Sequence, residues 1–401
     1  MIPFNRPYMT GKELWNISQA HHNGQLSGDG PFTKKCHQWF QRELGCHRAL
    51  LTHSCTAALE MAAILADVKP GDEIIMPSYT FVSTANAFVL RGGVPVFIDI
   101  REDTLNLDET KIEAAITNRT VAIVPVHYAG VGCEMDTIME IARRYNLLVV
   151  EDAAQGLMAL YRGRHLGTIG HLGTLSFHET KNITSGEGGA LLINDERFVA
   201  RAEIIREKGT NRSRFFRGEV DKYTWVNIGS SFLPGELIAA FLAAQLEEAA
   251  EITRTRLDIW DRYHVALADM EASGKVRRPV IPGDCTHNAH LYHLRLPDSH
   301  QRARFIAAME NEGIHTVFHY IPLHSSPAGV KYCRVNGVMT VTDAVSDCLV
   351  RLPLWIDMTE EQVNHVVAAI GAYFQAISSE RREPMSGRLS ASGRFVGSCD
   401  G

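Results

Sequence analysis

The sequence predicts an α/β protein with a mostly parallel sheet, followed by a smaller α+β unit. Short apolar runs alternate with helical patterns through the first half of the chain, which is typical of strand–helix–strand units. The chain has 401 residues, more than a single small core accommodates. We predict a large domain over residues 1–250, a small domain over 251–377 and a flexible tail over 378–401, where the apolar period ends.

The predicted strands of the large domain are short and apolar, as expected for a parallel sheet covered on both faces. They are Glu73–Met76, Pro95–Ile98, Ala122–Val126, Leu147–Val150, Gly173–Phe177 and Ala190–Ile193. Helical patterns separate them, as at Asp108–Ile116 and Glu134–Tyr145. A long helical pattern rich in Ala, Leu and Glu runs from about Gly235 towards Met270. The small domain is assigned the segments Asn288–Leu296, His300–Glu312, Thr316–Phe318 and Glu360–Ala376.

Composition disfavours several classes of protein. The net charge is −6, so no overall positive field favours nucleic acid. No apolar run reaches the roughly 20 residues that a membrane-spanning helix needs. The 18 histidines are scattered without zinc-site spacing, so we expect no metal. The eight cysteines form no Cys-x-x-Cys pair, which indicates free thiols and a cytoplasmic protein.

The most informative residue is Lys181, which closes the run Ser176–Lys181 and precedes the glycine-rich turn 186–189. A second predicted strand ends in Glu151 and Asp152. A lysine and an aspartate at two strand ends suit pyridoxal 5′-phosphate (PLP), which needs an amine for a Schiff base and an anion beside its pyridinium nitrogen. On spacing alone, a surface lysine and a helix-capping aspartate are equally compatible with the pattern.

Two further segments favour the cofactor interpretation. Small polar residues precede the alanine-rich helical run after Ser54, and the free amides of such a first turn bind phosphate. A plain N-cap without a ligand is the alternative. The second segment places Phe81 in a loop after a strand, where an aromatic ring can stack on a pyridine ring. Taken alone, Phe81 also fits a core aromatic.

Together these segments resemble the DegT/StrS-type sugar aminotransferases, from residue 2 to about residue 377. The marks that carry the resemblance are Ile2–Asn5, Gly28–Gly30, Ser54–Ala57, Thr80-Phe81, Glu151–Gln155, Ser176–His178 with Lys181, Gly186–Gly189, His319–His324 and Arg351–Leu354. The resemblance implies a fold-type-I, aspartate aminotransferase-like PLP enzyme. It also implies a homodimer with shared active sites, a nucleotide-linked keto-sugar substrate and L-glutamate as the amino donor.

The resemblance implies a role for each matching residue. Lys181 matches the lysine that binds the cofactor covalently, and Asp152 matches the partner of its pyridinium nitrogen. Further matches to cofactor-binding positions are Cys55 and Thr56 at the helix start, Phe81 on the ring, Gln155 near the ring hydroxyl, Ser176 at the phosphate and His178 close to the ring.

Two positions depart from the family pattern. Many relatives have an asparagine that reaches the phosphate from the neighbouring subunit, and Ser231 stands at that position here. A hydroxyl still donates to phosphate, so Ser231 is retained as a cofactor-binding residue. Cys55 stands where relatives usually have a smaller residue, which fits if only its backbone contacts the ligand.

The substrate-binding residues are less specified by the pattern. The stretch from Arg206 to Arg217 is rich in arginine, and we select Arg212 and Arg214 as diphosphate ligands, although a solvated basic loop is the alternative. His319 and Tyr320 suit the sugar end or the packing of the small domain. The stretches Pro125–Gly130, Glu207–Ser213 and Gly229–Ser231 narrow the resemblance to members that make dTDP-4-amino-4,6-dideoxygalactose for enterobacterial common antigen.

Three other functions share parts of this pattern. A sugar dehydratase of the same fold has histidine at the lysine position, so Lys181 argues against it. A PLP-binding regulator without turnover is disfavoured by the intact Lys181 and Asp152. A transaminase acting on a GDP- or UDP-linked sugar is left open by the residues.

Overall fold

The large sheet has eight strands, and β5 and β8, which carry or precede the predicted site residues Asp152 and Lys181, are interior strands. A computed structural model describes residues 1–380. Its thirteen strands are β1 (Arg48–Thr52), β2 (Glu73–Pro77), β3 (Val94–Ile98), β4 (Thr120–Ile123), β5 (Leu148–Asp152), β6 (Leu160–Tyr161), β7 (Arg164–His165), β8 (Leu172–Ser176), β9 (Gly189–Ile193), β10 (Cys285–Thr286), β11 (Tyr292–Arg295), β12 (Arg334–Val335) and β13 (Leu349–Leu352). The large sheet has the order β1-β9-β8-β5-β4-β2-β3-β12, and only β9 runs antiparallel to its neighbours.

Fifteen α-helices are present in residues 1–380. Those of the first half are α1 (Glu13–His22), α2 (Pro31–Leu44), α3 (Cys55–Leu65), α4 (Val82–Val89), α5 (Ile112–Ala115), α6 (Met135–Tyr145), α7 (Val199–Arg206) and α8 (Arg212–Phe216). Those of the second half are α9 (Glu236–Glu247), α10 (Ala249–Ala266), α11 (Ala268–Ala272), α12 (Ser299–Asn311), α13 (Pro327–Tyr332), α14 (Thr340–Cys348) and α15 (Glu360–Glu380). None of these helices is both long and apolar enough to cross a membrane.

Apolar side chains cover both faces of the large sheet, as a parallel sheet requires. Successive residues of a strand point to opposite faces, so Ile75 belongs to one cluster and Ile74 to the other. Helices α2, α6 and α9 supply the first cluster, and α3, α4 and α7 supply the second. The predicted mostly parallel α/β fold is therefore confirmed.

A separate core holds the second half of the chain together. Side chains from α10, β11, α12, β13 and α15 form one apolar cluster, and Ile2 joins it from the N-terminus. Strands β11 and β13 pair antiparallel, which agrees with a smaller α+β unit. However, β12 pairs with β3 in the large sheet. The domain boundary at residue 250 stays a prediction.

Three element predictions differ from the structure. The long helical pattern from Gly235 is divided into α9, α10 and α11, although no Gly or Pro marks the breaks. Thr316–Phe318 forms a single bridge, from Val317 to Arg351, and not a strand. Helix α15 continues to Glu380, beyond the predicted start of the tail, and the rest of that tail lies outside the described residues.

One buried carboxylate explains why the Gly28–Gly30 motif has glycine at position 30. Glu236 accepts hydrogen bonds from the amides of Gly30, Phe32 and Thr33 at 2.8–3.0 Å, so it caps the start of α2 from another helix. A side chain at Gly30 would meet the Cδ of Glu236 at 2.4 Å. Glycine at this position therefore allows α2 to dock on α9 beside the site.

Candidate active site

A cavity of about 740 Å³ opens at the carboxyl ends of β5 and β8, where ligands bind in open α/β sheets. Residues of the second half of the chain close its other side, among them His290, Val317 and Leu354. The cavity is lined by ten of the residues selected from the sequence, namely Cys55, Thr56, Phe81, Asp152, Gln155, Ser176, His178, Lys181, His319 and Tyr320. Folding thus brings together residues that are up to 265 positions apart in the chain (Cys55 to Tyr320).

Lys181 follows β8 in a tight turn, in which its amide donates to the carbonyl of His178 at 2.9 Å. Its side chain faces the cavity. Burial lowers the pKa of the Lys181 amine, and the positive charge of Arg351 lowers it further, against the raising effect of Cys55 and Asp152. The neutral fraction of this amine is therefore larger than in a free lysine, and the neutral form is the one that attacks a carbonyl.

Asp152 ends β5 and is held in a fixed orientation. Its Oδ2 accepts a hydrogen bond from Thr84 Oγ1 at 2.7 Å, and its Oδ1 accepts one from the amide of Ala154 at 3.1 Å. Thr84 in turn lies 2.9 Å from the hydroxyl of Thr80. The carboxylate is buried and has no cation in direct contact among residues 1–380. It is thus available to a protonated ring nitrogen.

The start of α3 lines the same cavity and forms an anion cradle of free backbone amides. Ser54 caps the helix as expected, and its Oγ accepts from the amide of Ala57 at 3.1 Å. The amides of Cys55 and Thr56 precede the first bond within the helix and have no helical acceptor. A Cβ on Gly189 would lie 2.4 Å from the amide nitrogen of Cys55, so only glycine lets β9 approach this helix start.

The structure shows whether Phe81 is a core aromatic and whether the thiol of Cys55 is reactive. The Phe81 side chain is 59% exposed and lines the cavity, so the core-aromatic alternative is wrong. Burial raises the pKa of the Cys55 thiol well above its ordinary value. This thiol is a packing group at pH 7, in agreement with a role for the Cys55 backbone alone.

An aromatic cluster connects Gln155 to the second half of the chain. Gln155 Nε2 donates to the hydroxyl of Tyr320 at 2.7 Å, and its Oε1 accepts from the amide of Ala129 at 2.7 Å. His319 stacks on Tyr320 with ring centroids 3.8 Å apart, and its Nδ1 lies 2.7 Å from the hydroxyl of Tyr128. His319 and Tyr320 therefore line the cavity and also pack against residues of the first half of the chain, Tyr128 and Gln155.

Three selected residues do not line this cavity. Ser231 is exposed and forms a bridge with Glu207. The guanidinium of Arg212 lies 5.1 Å from the ring of Phe216, and Arg214 pairs with Glu219. The arginine-rich stretch also offers fewer arginines to a diphosphate than expected. Its first arginine, Arg206, is buried and donates to Leu51 O and Asp29 Oδ1, both at 2.7 Å.

Four residues that line the cavity were not selected from the sequence. Thr84 orients Asp152, while Arg351, Arg256 and His290 add basic groups to the cavity wall. Burial, followed by the charge of Lys181, lowers the pKa of His290 well below its ordinary value, so this ring is neutral at pH 7. Arg351 belongs to a quoted family mark, but the pattern attached no role to it. Only the folded chain shows that these residues reach the cavity.

The fold and the site define an aminotransferase of the PLP-dependent fold type I. Residues 7–371 match the DegT/DnrJ/EryC1/StrS aminotransferase family, and the chain belongs to that family. PLP is the cofactor of this class. The cavity fits PLP because the amine of Lys181, the carboxylate of Asp152 and the α3 anion cradle all line one space.

Two relatives and one solved structure are similar to this chain over nearly their full length. The chain is 32% identical over 384 residues to the spore coat polysaccharide biosynthesis protein SpsC of Bacillus subtilis, covering 92% of this chain and 96% of SpsC. It is 33% identical over 368 residues to the GDP-perosamine synthase of Caulobacter vibrioides, covering 91% and 96%. The aminotransferase TlmJ of Streptoalloteichus hindustanus superposes with a TM-score of 0.86 at 28% identity, covering 94% of this chain and all of TlmJ.

Proposed function

We propose that this sugar aminotransferase transfers the amine of L-glutamate to C4 of dTDP-4-keto-6-deoxyglucose. The product is dTDP-4-amino-4,6-dideoxygalactose, which serves enterobacterial common antigen synthesis. The observation that carries the proposal is the placement of the Lys181 amine and the Asp152 carboxylate in one cavity beside an anion cradle. The choice of dTDP-linked sugar is supported by the Pro125–Gly130, Glu207–Ser213 and Gly229–Ser231 stretches, which are similar to the members that make this product.

The chain's own residues have defined tasks in this reaction. PLP stores the amine between the two substrates and stabilises negative charge on the reacting carbon. Asp152 keeps the cofactor nitrogen protonated, and the amides of Cys55 and Thr56 hold its phosphate. Glutamate is oxidised to 2-oxoglutarate as its amine leaves, and the sugar ketone is reduced to an amine. Lys181 removes a proton from Cα of glutamate and later returns one to C4 of the sugar.

An amino transfer to a GDP-linked keto-sugar is the second candidate. The observation that favours it is the 33% identity to a GDP-perosamine synthase over nearly the full length of both chains. Both candidates use the same Lys181 and Asp152, so they differ only in the nucleotide and the sugar. The substrate therefore has to be decided by measurement of several nucleotide sugars under equal conditions.

We expect dTDP-4-keto-6-deoxyglucose to be aminated with the highest kcat/KM in a panel of dTDP-, UDP- and GDP-linked 4-keto-6-deoxy sugars. The purified protein is mixed with PLP, L-glutamate and each sugar, and products are read by mass and by proton NMR for the configuration at C4. An axial amine at C4 is the expected galacto outcome. A higher kcat/KM for a GDP-linked sugar would select the second candidate, and no amination of any sugar would reject both.

A homodimer with shared sites is part of the proposal. The segment 215–228, which precedes Ser231, exposes several large apolar side chains, including Phe216 (70% exposed) and Trp225 (76% exposed). Exposed aromatic residues concentrated on one segment are typical of an interface. A second copy that covers this segment would account for the position of Ser231 outside the cavity of its own chain. Ser231 and Arg212 then act on the site of the partner subunit.

Mixed dimers test the shared site. Lys181→Ala lacks the amine, and a Ser231→Ala/Arg212→Ala double variant lacks the groups proposed to reach across. In a hybrid dimer one site combines an intact Lys181 with an intact crossing segment. Random exchange of equal amounts therefore restores about a quarter of the wild-type sites. Differently tagged subunits verify exchange, and exchange without recovered activity contradicts the shared site. A monomer by light scattering contradicts it as well.

A further inference from the structure

One imidazole of the cavity wall has no task in the proposed reaction. His290 lies shortly before β11 and lines the cavity together with Lys181. Its backbone is held on both sides, because its amide donates to Asn288 Oδ1 at 3.0 Å and its carbonyl accepts from Arg256 Nη2 at 2.9 Å. The ring is therefore carried by a fixed segment, and the contacts of its two nitrogens decide what it offers to the cavity.

The side chain that orients this ring is Asn182, the residue next to Lys181 in the chain. Asn182 Nδ2 donates to the carbonyl of Asn288 at 2.8 Å, so the other atom of that amide, the oxygen, is the one that faces His290. This oxygen lies 3.1 Å from Nδ1 of His290. An amide oxygen only accepts hydrogen bonds, so Nδ1 carries the ring proton and Nε2 carries the lone pair.

Nε2 of His290 is a free acceptor in the cavity. It has no hydrogen-bond partner within residues 1–380, and it is not among the buried atoms that lack one, so it is accessible from the cavity. Burial and the charge of Lys181 lower the pKa of His290 well below its ordinary value, and the ring keeps this lone pair at pH 7. A neutral acceptor in one fixed orientation suits a group that donates an N–H or O–H bond.

The amine of Lys181 is a group in this cavity that needs such an acceptor. A neutral amine has two N–H bonds and one lone pair, and only the lone pair removes a proton from carbon. An acceptor for one N–H bond fixes the direction of the lone pair, as a reaction with aligned orbitals requires. The charge of Lys181 acts on His290, which indicates that the two side chains lie near each other.

Three other groups act on the pKa of Lys181, and none is as well suited to this task. They are Cys55, Asp152 and Arg351. Asp152 is already held by two hydrogen bonds and serves the cofactor nitrogen in the proposed reaction. The guanidinium of Arg351 only donates, and the thiol of Cys55 is a weak acceptor. His290 is the neutral nitrogen acceptor of the set.

We propose that Nε2 of His290 accepts a hydrogen bond from the free amine of Lys181 and thereby aims the lone pair of that amine at the reacting carbon. His290 is then a positioning residue that acts through Lys181 and not on a substrate. This inference rests on the proposed function for the task of Lys181 and adds the group that orients it. Because Lys181 moves the proton in both halves of the proposed reaction, both halves depend on His290.

Two variants separate this hydrogen bond from the packing of the ring. His290→Asn keeps an N–H group for Asn182 but is too short to place an acceptor at the position of Nε2. His290→Gln puts an amide oxygen close to that position. We expect proton transfer to slow about 10- to 100-fold in His290→Asn, the scale of a misplaced catalytic group, and to return to within about fivefold of wild type in His290→Gln.

The first test follows each half of the reaction in a single turnover. L-Glutamate is added to the PLP form, and the keto-sugar is added to the pyridoxamine phosphate form. We expect both saturated rates to fall in His290→Asn, while the substrate concentrations for half saturation stay within about threefold of wild type. Glutamate deuterated at Cα is expected to show a larger isotope effect in this variant, because proton transfer has become the slow step.

The second test measures the amine without turnover. Cyanate carbamylates only a neutral amine, so its rate at Lys181 against pH, read by peptide mass in the pyridoxamine phosphate form, reports the pKa of Lys181. A hydrogen bond to His290 stabilises the ammonium form more than the neutral form. We therefore expect the pKa of Lys181 to be lower by about 0.5 to 1 in His290→Asn and to return in His290→Gln. The exposed Lys331 is the control amine, with the same pKa in every variant.

Slower proton transfer from an amine that is more often neutral is the combination expected of a positioning residue. The inference is overturned if His290→Asn keeps the wild-type rate or the wild-type pKa of Lys181, or if His290→Gln recovers neither. Slowing of only one half of the reaction overturns it too, because His290 would then contact that substrate.

Absorbance of the bound PLP and the circular dichroism spectrum show whether each variant is folded, and His290→Ala replaces the asparagine variant if it is not. The proposed function fails separately, if the wild type aminates no keto-sugar. In that case the pKa of Lys181 in the His290 variants still decides whether this hydrogen bond exists.

Discussion

Replacing Lys181 by alanine is expected to abolish turnover and the visible absorbance of the purified protein. In the proposed reaction this side chain has two functions, since it would anchor the cofactor covalently and move the proton in both halves of the reaction. General acid–base catalysis alone typically contributes about 10²–10⁴-fold, so we expect kcat to fall by about 10⁴-fold or more. Absorbance spectroscopy of the protein with PLP and steady-state rates with glutamate measure the two effects.

Two controls distinguish this result from misfolding of the variant. Lys331→Ala removes an exposed lysine on α13, and we expect it to retain its colour and its rate. A small external amine such as methylamine can occupy the space left by the lysine side chain. We expect it to restore part of the lost rate in Lys181→Ala, because it supplies a base at the same place. Turnover of Lys181→Ala near the wild-type rate without added amine would rule out the proposed mechanism.

The second large effect is expected for Asp152→Asn. The amide has the shape of the carboxylate but not its charge, so the cofactor nitrogen loses the anion that keeps it protonated. Removing one preorganised electrostatic partner typically costs about 10²–10³-fold in kcat, and we expect a loss of at least about 10²-fold. Absorbance of the dialysed protein is expected to show that PLP stays bound.

The cavity offers a matched control for the charge. Glu187 also lines the cavity wall, at its exposed rim, and Glu187→Gln removes the same unit of charge without affecting the end of β5. We expect its kcat to stay within about threefold of wild type, because exposed charges are screened by water and salt. If Asp152→Asn loses no more than Glu187→Gln, the special role of Asp152 is refuted.

The sequence was sufficient for the parts of this protein that depend on local order along the chain. Apolar runs of four or five residues between helical patterns identified six strands of the large sheet, since burial of a parallel sheet requires such runs. Asp152 could be selected because it ends β5, and Lys181 because it lies in the turn after β8. Ser54 could be predicted as a helix cap from its own chemistry and from the alanine-rich run behind it.

The predictions from the sequence that failed concern features without a local signal in the chain. The breaks between α9, α10 and α11 have no Gly or Pro to mark them. Helix α10 begins in the same core as α9 and continues into the second core, a course that the sequence pattern does not show. Strand β12 has two residues, too few for a period, and it is a strand only because it reaches the edge of the large sheet beside β3. Arg206 begins an arginine-rich stretch that suggested a binding loop, but the fold buries Arg206 against Leu51 and Asp29.

The sequence by itself determined the fold class, the family and the chemical groups that the reaction needs, because these are properties of residue type and spacing. The tertiary structure decided which of those groups share one space. Thr84 became the support of Asp152, and Arg351 came to line the same cavity as Lys181, through contacts between segments far apart in the chain. The pKa of Lys181 is lowered for the same reason, since burial and the neighbouring guanidinium exist only in the folded chain.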